Sequence, residues 1–209
     1  MATKTKVAIL GAGGFGCEIF HLLDHELYEC IGFIECIDAS KRLKVPIIGH
    51  ESEMEKIIED FEISKCIIAI GNIKKRKKIV DQIKQYPLEF PKVFGSSITN
   101  FSYDIDEGTI LYPGVVIMND CKIGQFTLIN SGVTLGHDVV IGDFCNINPG
   151  ANLAGRINIG DGVLIGIGAT IKENINIGNN AVIGAGSVVV KDVKDNTTVY
   201  GVPAKVVST

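Results

Sequence analysis

His137 and Asp138 are the residues whose types and spacing most directly suggest chemistry. They end the segment Asn-Ser-Gly-Val-Thr-Leu-Gly-His-Asp, and His137 is the only histidine after residue 50. A carboxylate beside an imidazole can accept the Nδ1 proton, fix the tautomer and make Nε2 more basic. The pair therefore suggests a general base. The alternative is a solvent-exposed histidine at a turn, without a chemical role.

A second candidate site lies near the amino end, where Gly11–Gly16 reads Gly-Ala-Gly-Gly-Phe-Gly. The motif follows an apolar segment, Lys6–Leu10, and precedes a helical pattern over Cys17–Leu23. In this strand–turn–helix context, the free N–H groups of the helix can bind a phosphate or another anionic group. Glu35 follows the apolar strand Ile31–Ile34, about twenty residues further on, where an acid can accept a ribose hydroxyl.

Three interpretations of the glycine motif remain open: a tight turn only, a site for a mononucleotide group, or a full NAD site. Only three strands fit before residue 91, which is half of a dinucleotide fold and favours the mononucleotide group, such as the head of a nucleotide-sugar. A basic run, Lys74–Lys78, opens the next predicted helix. This run either forms a solvent-exposed helix face or allows Arg76 to reach a phosphate of the ligand. The sequence is compatible with both alternatives.

A six-residue repeat runs from Ile105 to Val193 and predicts the secondary structure around His137. Its first position is always aliphatic and its fifth is small or β-branched, and Ile-Gly also recurs every eighteen residues. A period of six within eighteen predicts three short strands per turn, stacked about 4.8 Å apart as a prism-shaped parallel β-helix. His137 and Asp138 occupy the third and fourth positions, near a corner. A β-sandwich is disfavoured because no irregular turns break the register.

Composition divides the chain into a charge-rich part that alternates strands and helices, and a glycine-rich part that carries the repeat. We predict domains at residues 1–95 and 99–209, with the boundary near residues 91–100. The chain is 46% hydrophobic with a formal net charge of −4, which argues against nucleic-acid binding. No apolar run approaches the length of a membrane span, and the amino end lacks a signal-peptide pattern. We therefore expect a cytoplasmic protein.

The six cysteines show no C-x-x-C pair and no framework spacing, so we expect reduced thiols. Cys121 and Cys145 fill the fifth repeat position like small hydrophobic residues, which disfavours a cysteine nucleophile. A metal site on a β-helix needs three histidines, and the other three histidines precede residue 51. We expect no metal site.

These motifs together resemble the left-handed β-helix acyltransferases, which share isoleucine-rich hexads, a Gly-His-Asp element and an ending like Tyr200–Lys205. With the glycine motif and Ala69–Asn72 included, the chain is similar to the sugar O-/N-acetyltransferase family. That family includes sialic acid O-acetyltransferases and bacterial nucleotide-4-amino-sugar N-acetyltransferases. The resemblance implies a small Rossmann-like βαβ amino domain, then a left-handed parallel β-helix. It also implies a homotrimer with acetyl-CoA in the groove between neighbouring prisms.

The same resemblance implies roles for individual residues. His137 would be the general base and Asp138 its orienting carboxylate. Acetyl-CoA would contact Asn146, Ile167 and Ala185. The nucleotide-linked acceptor would contact Gly13, Gly14, Phe15, Glu35, Gly71 and Asn130. Asn146 stands where some relatives have histidine, which puts a hydrogen bond to the thioester end of acetyl-CoA in question. Phe15 also stands where some relatives have histidine, and Cys36 replaces an acidic residue, which suggests a different acceptor.

The expected reaction is direct acetyl transfer from acetyl-CoA to the 4-amino group of a UDP- or GDP-linked amino-sugar. A nucleotide-like first domain favours this acceptor, because free sialic acid needs no such pocket. The alternatives are O-acetylation of a sialic acid or related sugar and a non-catalytic scaffold that binds nucleotide-sugars.

Overall fold

The computed structural model describes residues 3–35, 45–100 and 103–208. The chain divides into two compact units, Met1–Val93 and Phe94–Thr209. Each unit has its own sheets and its own core, so each is described separately below.

The first unit is built on a four-stranded parallel sheet in the order β3-β2-β1-β4. The strands are β1 Thr5–Leu10, β2 Tyr28–Glu35, β3 Ile47–His50 and β4 Lys65–Ile68. The helices are α1 Gly14–Leu22, α2 Met54–Phe61 and α3 Ile73–Ile83, with a 3₁₀ turn at Glu51–Glu53. In the part of the chain that the structure describes, no helix is long and apolar enough to cross a membrane.

The prediction of three strands before residue 91 was wrong, because β3 adds a fourth at the edge of the sheet. Its burial is partial and Ile47 is half exposed, so it lacks the apolar run of a central strand. Gly49 interrupts it with a positive φ of 153°. The strand still brings His50 into register with Glu35 at the carboxyl edge of the sheet.

Two glycines of the amino-terminal motif are required by the turn between β1 and α1. A Cβ on Gly16 would lie 1.9 Å from the carbonyl oxygen of Gly11. Gly11 itself has a φ of 114°, and its own Cβ would lie 2.5 Å from the carbonyl oxygen of Ala69. The helix begins inside the motif, at Gly14, and not at Cys17 as predicted. Part of the motif therefore serves the tight turn.

The second unit is a left-handed β-helix whose short strands form three sheets, here called faces I, II and III. Face I has the strands Tyr103–Ile105, Cys121–Ile123, Val140–Ile141, Asn158–Ile159 and Asn176–Ile177. Face II has Val93–Phe94, Ile110–Leu111, Leu128–Ile129, Asn146–Ile147, Leu164–Ile165, Val182–Ile183 and the closing antiparallel pair Thr198–Gly201 and Ala204–Ser208. Face III has Thr99–Asn100, Val116–Ile117, Thr134–Leu135, Asn152–Leu153, Thr170–Ile171 and Val188–Val189.

The predicted repeat is confirmed by the register of the strands. Between Tyr103 and Val189, paired strands lie eighteen residues apart and run parallel, as Ile123 and Ile141 do. Every first and fifth position of the repeat is buried, and the exposed fraction of these residues is at most 7%. These side chains form one continuous apolar core along the prism.

The Ile-Gly recurrence has a physical cause at the corner between faces I and II. A polar side chain one coil further on accepts a backbone N–H of the previous coil; Asp161 Oδ1 accepts from the Asp143 N–H at 2.8 Å. A Cβ on Gly142 would lie 2.3 Å from that same Asp161 oxygen. The same arrangement recurs at Gly124 with Asp143, Gly160 with Asn179 and Gly178 with Asp195. These glycines make room for a column of capping side chains.

Candidate active site

His137 and Asp138 lie at the corner that joins Thr134–Leu135 of face III to Val140–Ile141 of face I. The turn places Asp138 at a φ of 58°, a conformation that aspartate tolerates better than most residues. Its N–H donates to the carbonyl oxygen of Asn119, one coil earlier, at 2.9 Å. The position near a corner was predicted from the repeat.

The two side chains form a hydrogen-bonded pair. His137 Nδ1 lies 2.6 Å from Asp138 Oδ2. With the proton on Nδ1 and donated to the carboxylate, Nε2 is left as an unprotonated acceptor. The exposed fractions of the two side chains are 53% and 54%, so a ligand can reach the imidazole. The arrangement suits general-base chemistry.

Gly155 lies one coil beyond His137 and packs against its imidazole. A Cβ at Gly155 would lie 2.7 Å from His137 Nε2 and 2.9 Å from Cε1. Among the described residues, the Gly155 N–H donates to no acceptor. The sequence analysis missed this residue, although adding the eighteen-residue period to 137 gives its position. The Gly155 backbone thus lies beside the Nε2 side of the candidate base.

The residues expected to contact acetyl-CoA lie elsewhere on the prism. Ile167 and Ala185 are exposed and occupy equivalent positions on adjacent coils, at the corner between faces II and III. Asn130, which was expected to contact the acceptor, lies before the turn at this same corner, and its Nδ2 donates to the carbonyl oxygen of Ile147 at 3.2 Å. Asn146 lies in a strand of face II and is partly exposed.

Within one chain, the two sets of candidate residues therefore lie at different edges of the β-helix. The whole of face III separates the corner of His137 from the corner of Ile167 and Ala185. One chain does not bring the candidate base and the candidate acetyl-CoA residues together.

In the first unit, the candidate acceptor residues lie at the carboxyl edge of the sheet. Gly13 and Gly14 follow β1, Glu35 ends β2, and Gly71 follows β4. The structure brings these loops to one edge, as expected for neighbouring parallel strands. A Cβ on Gly13, Gly14 or Gly71 would meet no atom within 4 Å, unlike one on Gly11 or Gly16. The open glycines thus leave free space beside the amino end of α1, which the tight turn does not require.

Phe15 lies in the first turn of α1 and is partly buried. Glu35 is also partly buried. Cys36, which replaces an acidic residue of the family pattern, lies outside the described residues.

The basic run proves to have two kinds of residue. Lys74, Lys77 and Lys78 are exposed, as a solvated helix face predicts, whereas only 1% of the Arg76 surface is accessible. Arg76 Nη1 donates to the carbonyl oxygens of Ile70 at 2.8 Å and Gly71 at 3.2 Å. Neither alternative from the sequence describes Arg76, because it is buried and its guanidinium contacts the backbone.

The thiols of the β-helix have a structural role. Cys121 Sγ donates to the Gly136 carbonyl oxygen and Cys145 Sγ to the Gly160 carbonyl oxygen, both at 3.1 Å. The buried Thr127 hydroxyl makes the same kind of contact with Gly142. Burial raises the pKa of the Cys121 thiol, which disfavours the thiolate that a nucleophile needs.

The first unit also contains thiols with raised pKa values. Burial raises the pKa of Cys30 to about 11 and that of Cys66 to about 12. Across the residues that the structure describes, no group of three His, Cys, Asp or Glu side chains is arranged to hold a metal ion.

Comparison with known proteins gives matches along both units. Residues 6–83 match the PglD N-terminal domain, and residues 120–155 and 156–191 match the bacterial transferase hexapeptide family, each match with six repeats. No curated protein matches the chain.

Three solved structures illustrate the similarity. WeeI from Acinetobacter baumannii AYE is 30% identical over 97% of this chain and 100% of its own, with a TM-score of 0.82. The acetyltransferase domain of PglB from Neisseria gonorrhoeae FA1090, in complex with acetyl coenzyme A, is 28% identical over 98% and 100%, with a TM-score of 0.91. PerB from Caulobacter crescentus, in complex with CoA and GDP-perosamine, is 28% identical over 99% of both chains, with a TM-score of 0.92.

Proposed function

The chain belongs to the hexapeptide-repeat sugar acetyltransferase family and is an acetyltransferase, and from this premise we propose its donor, acceptor and mechanism. The donor is acetyl-CoA, and the acceptor is the 4-amino group of a UDP- or GDP-linked amino-sugar. The similar structures of PglB with acetyl-CoA and PerB with CoA and GDP-perosamine support this pair of substrates. The observation that carries the reaction is the hydrogen-bonded His137–Asp138 pair.

The first unit binds the nucleotide part of the acceptor. The open space at Gly13, Gly14 and Gly71 suits a ligand close to the backbone, and the amino end of α1 favours an anionic group there. Glu35, at the end of the neighbouring strand, would accept a hydroxyl of the ribose. The first unit has a sheet of only four strands. It is therefore better suited to bind the nucleotide part of a nucleotide-sugar than a whole dinucleotide.

Transfer occurs directly between the two substrates. His137 Nε2 takes a proton from the acceptor amine as the nitrogen attacks the carbonyl carbon of the thioester. The C–N bond forms, the tetrahedral oxyanion collapses, and the C–S bond breaks to release CoA as its thiolate. Asp138 holds the imidazole and stabilises its positive charge after the proton has moved.

We assign the Gly155 N–H as the donor for the oxyanion. Gly155 packs against the imidazole, and its N–H has no acceptor among the described residues, so it can donate to a ligand without breaking another bond. A preorganised backbone donor of this kind stabilises the charge that develops on the carbonyl oxygen. No covalent acyl-enzyme is needed.

Replacing Gly13 by valine should raise the KM for the nucleotide-sugar at least roughly tenfold, since the side chain would fill the space left for the ligand. The variant should keep its thermal stability, because Gly13 has extended backbone angles and an unoccupied Cβ direction. Steady-state kinetics with each substrate varied, together with a melting curve, would check both points. Gly16→Ala is the contrasting variant and should melt at a lower temperature. An unchanged KM in a folded Gly13→Val enzyme would exclude this loop from the acceptor site.

We infer a homotrimer because one chain separates its two sets of candidate residues. In a ring of three chains, the His137 corner of one prism can face the Ile167 and Ala185 corner of the next, so that each site draws on two chains. Face III lies between these corners within a single chain. The cytoplasmic location stays a prediction.

Two inactive variants should restore each other's activity if each site uses two chains. When His137→Ala and Ile167→Glu chains are co-expressed with different tags, about a third of the sites in the doubly tagged trimers should have both intact edges. Activity of the doubly tagged species would be compared with that of each variant alone. Recovery well above the two single variants is expected. No recovery from verified mixed trimers would mean that each site is built within one chain.

A further inference from the structure

A turn at residues 118–120, Met-Asn-Asp, lies one coil before the candidate base and has no role in the proposed transfer. It occupies the same corner between faces III and I as the turn at residues 136–138, and the strands that precede the two turns pair eighteen residues apart. The Asp138 N–H donates to the Asn119 carbonyl oxygen at 2.9 Å, so the two turns are directly hydrogen-bonded. Asn119 and His137 hold equivalent positions in successive coils, which are spaced about 4.8 Å apart. Their side chains are therefore neighbours.

All three side chains of the 118–120 turn are exposed. Met118 has 43% of its surface accessible, whereas the next coil has Gly136 at this position. Within the described part of the chain, the Asn119 amide and the Asp120 carboxylate form no hydrogen bond and no ion pair. The turn thus presents one apolar and two polar side chains to a ligand beside the imidazole.

The other side of the imidazole would be occupied by acetyl-CoA in the proposed trimer. Gly155, one coil after His137, packs its bare backbone against Nε2. The candidate acetyl-CoA residues Ile167 and Ala185 lie further along the prism. In a ring of three parallel prisms, equivalent coils stand at the same height, so acetyl-CoA would extend from Gly155 towards the later coils. The space beside the earlier 118–120 turn is then left for the acceptor.

The chemistry of this turn matches that of a hexose. A hydroxyl group both donates and accepts hydrogen bonds, and so does the Asn119 amide. The Asp120 carboxylate can accept from a second hydroxyl, and a flexible methionine can pack on the apolar face of a sugar ring. A hexose ring is comparable in width to the coil spacing of about 4.8 Å. A sugar whose amine reaches His137 Nε2 can therefore cover the neighbouring turn.

We propose that the 118–120 turn recognises the sugar ring of the acceptor. Asn119 hydrogen-bonds the hydroxyl at C3, next to the reacting amine, Asp120 accepts a further hydroxyl, and Met118 packs on the apolar face of the ring. The inference rests on the proposed function, since it assumes a 4-amino-sugar whose amine reaches His137. It goes further by assigning sugar specificity to a turn of the β-helix, whereas the first unit binds the nucleotide.

Rates of CoA release by the full-length protein test the proposal, with the preferred nucleotide-linked 4-amino-sugar and its 3-deoxy analogue as acceptors. Asn119→Ala should lower kcat/KM for the 4-amino-sugar roughly 5- to 30-fold, because the C3 hydroxyl loses its partner. With the 3-deoxy analogue, Asn119→Ala and the wild type should agree within about twofold. The KM for acetyl-CoA should not change. Met118→Ala should lower kcat/KM roughly three- to tenfold with both acceptors, since the apolar contact does not involve the hydroxyl.

Asn158→Ala is the matched control, because Asn158 is an exposed asparagine that bonds to Asn176 and lies in a strand of face I, outside the corner. It should leave kcat/KM for both acceptors unchanged. An Asn119→Ala enzyme that loses as much activity with the 3-deoxy analogue as with the hydroxylated sugar, or none with either, would overturn the inference alone. The same holds if the preferred acceptor has no hydroxyl at C3. Wild-type protein that acetylates no nucleotide-linked 4-amino-sugar would overturn the inference together with the proposed acceptor.

Discussion

Replacement of His137 by alanine should lower kcat by roughly 10²–10⁴-fold, because the acceptor amine then loses the group that takes its proton. The KM values for both substrates should change little if the imidazole acts mainly in the transition state. The side chain is half exposed, so its removal leaves the β-helix core intact and the melting temperature close to that of the wild type. Initial rates of CoA release, measured with both substrates saturating, would give the effect.

His21→Ala is the matched control for this experiment. His21 is also an exposed histidine, but it lies in α1 and outside the proposed transfer site, so its loss should leave kcat unchanged. A folded His137→Ala enzyme with wild-type turnover would remove the general-base mechanism. Asp138→Asn should have a smaller effect than His137→Ala, since the base remains and only its orientation and basicity suffer.

Gly155→Ala should be the second most damaging change, with kcat reduced on the order of 10²-fold. The new Cβ would lie 2.7 Å from His137 Nε2, so the imidazole must move. A half-exposed side chain can move at little cost, and the φ of Gly155 is not in the left-handed region, so the protein should fold normally. Turnover would therefore fall without a matching loss of stability, as kinetics and melting curves on the same preparation would reveal.

A double variant separates the effect on His137 from other effects of the methyl group. If Gly155 acts mainly through the imidazole, Gly155→Ala in the His137→Ala background should cause little further loss. If Gly155→Ala lowers kcat in this background by as much as it does in the wild type, the methyl group must act elsewhere, such as at the oxyanion donor. Wild-type turnover of Gly155→Ala would show that the observed imidazole position is not the catalytic one.

The β-helix was predictable because each six-residue repeat of the sequence corresponds to one short strand and turn of the structure. Each aliphatic first position, such as Ile141, must enter the same core, and a six-residue spacing returns it there on the next face. The edge strand Ile47–His50 was not predictable in this way, since one partly exposed strand with a glycine has no apolar run. Sheet pairing with β2 decides its conformation.

The candidate site was predictable in part. His137 and Asp138 are adjacent in sequence, so a local pattern reveals the pair. Gly155 is their neighbour only through the stacking of coils, and the eighteen-residue period was needed to find it. The division of the candidate residues between two edges follows from their places in the repeat and became clear only with the faces assigned.

The burial of Arg76 was indicated by its spacing in the sequence, but the basic composition of the segment obscured this. Within the basic run it looks like one of five solvated cations. Yet Arg76 lies three, four and seven residues before Ile79, Val80 and Ile83, which is the spacing of one helix face. Helical periodicity thus predicts its burial, whereas the loop carbonyls that receive its hydrogen bonds are a tertiary feature and could not be read from the sequence.

Release of CoA from acetyl-CoA, measured against a panel of acceptors, tests the central claim most directly. The panel should contain UDP- and GDP-linked 4-amino-sugars, their 4-hydroxy counterparts, CMP-sialic acid and free sialic acid. We predict rapid CoA release with one nucleotide-linked 4-amino-sugar, and an amide product in its mass spectrum. Release with the hydroxy-sugars or sialic acids alone would contradict the proposed N-acetylation and assign the enzyme to O-acetylation.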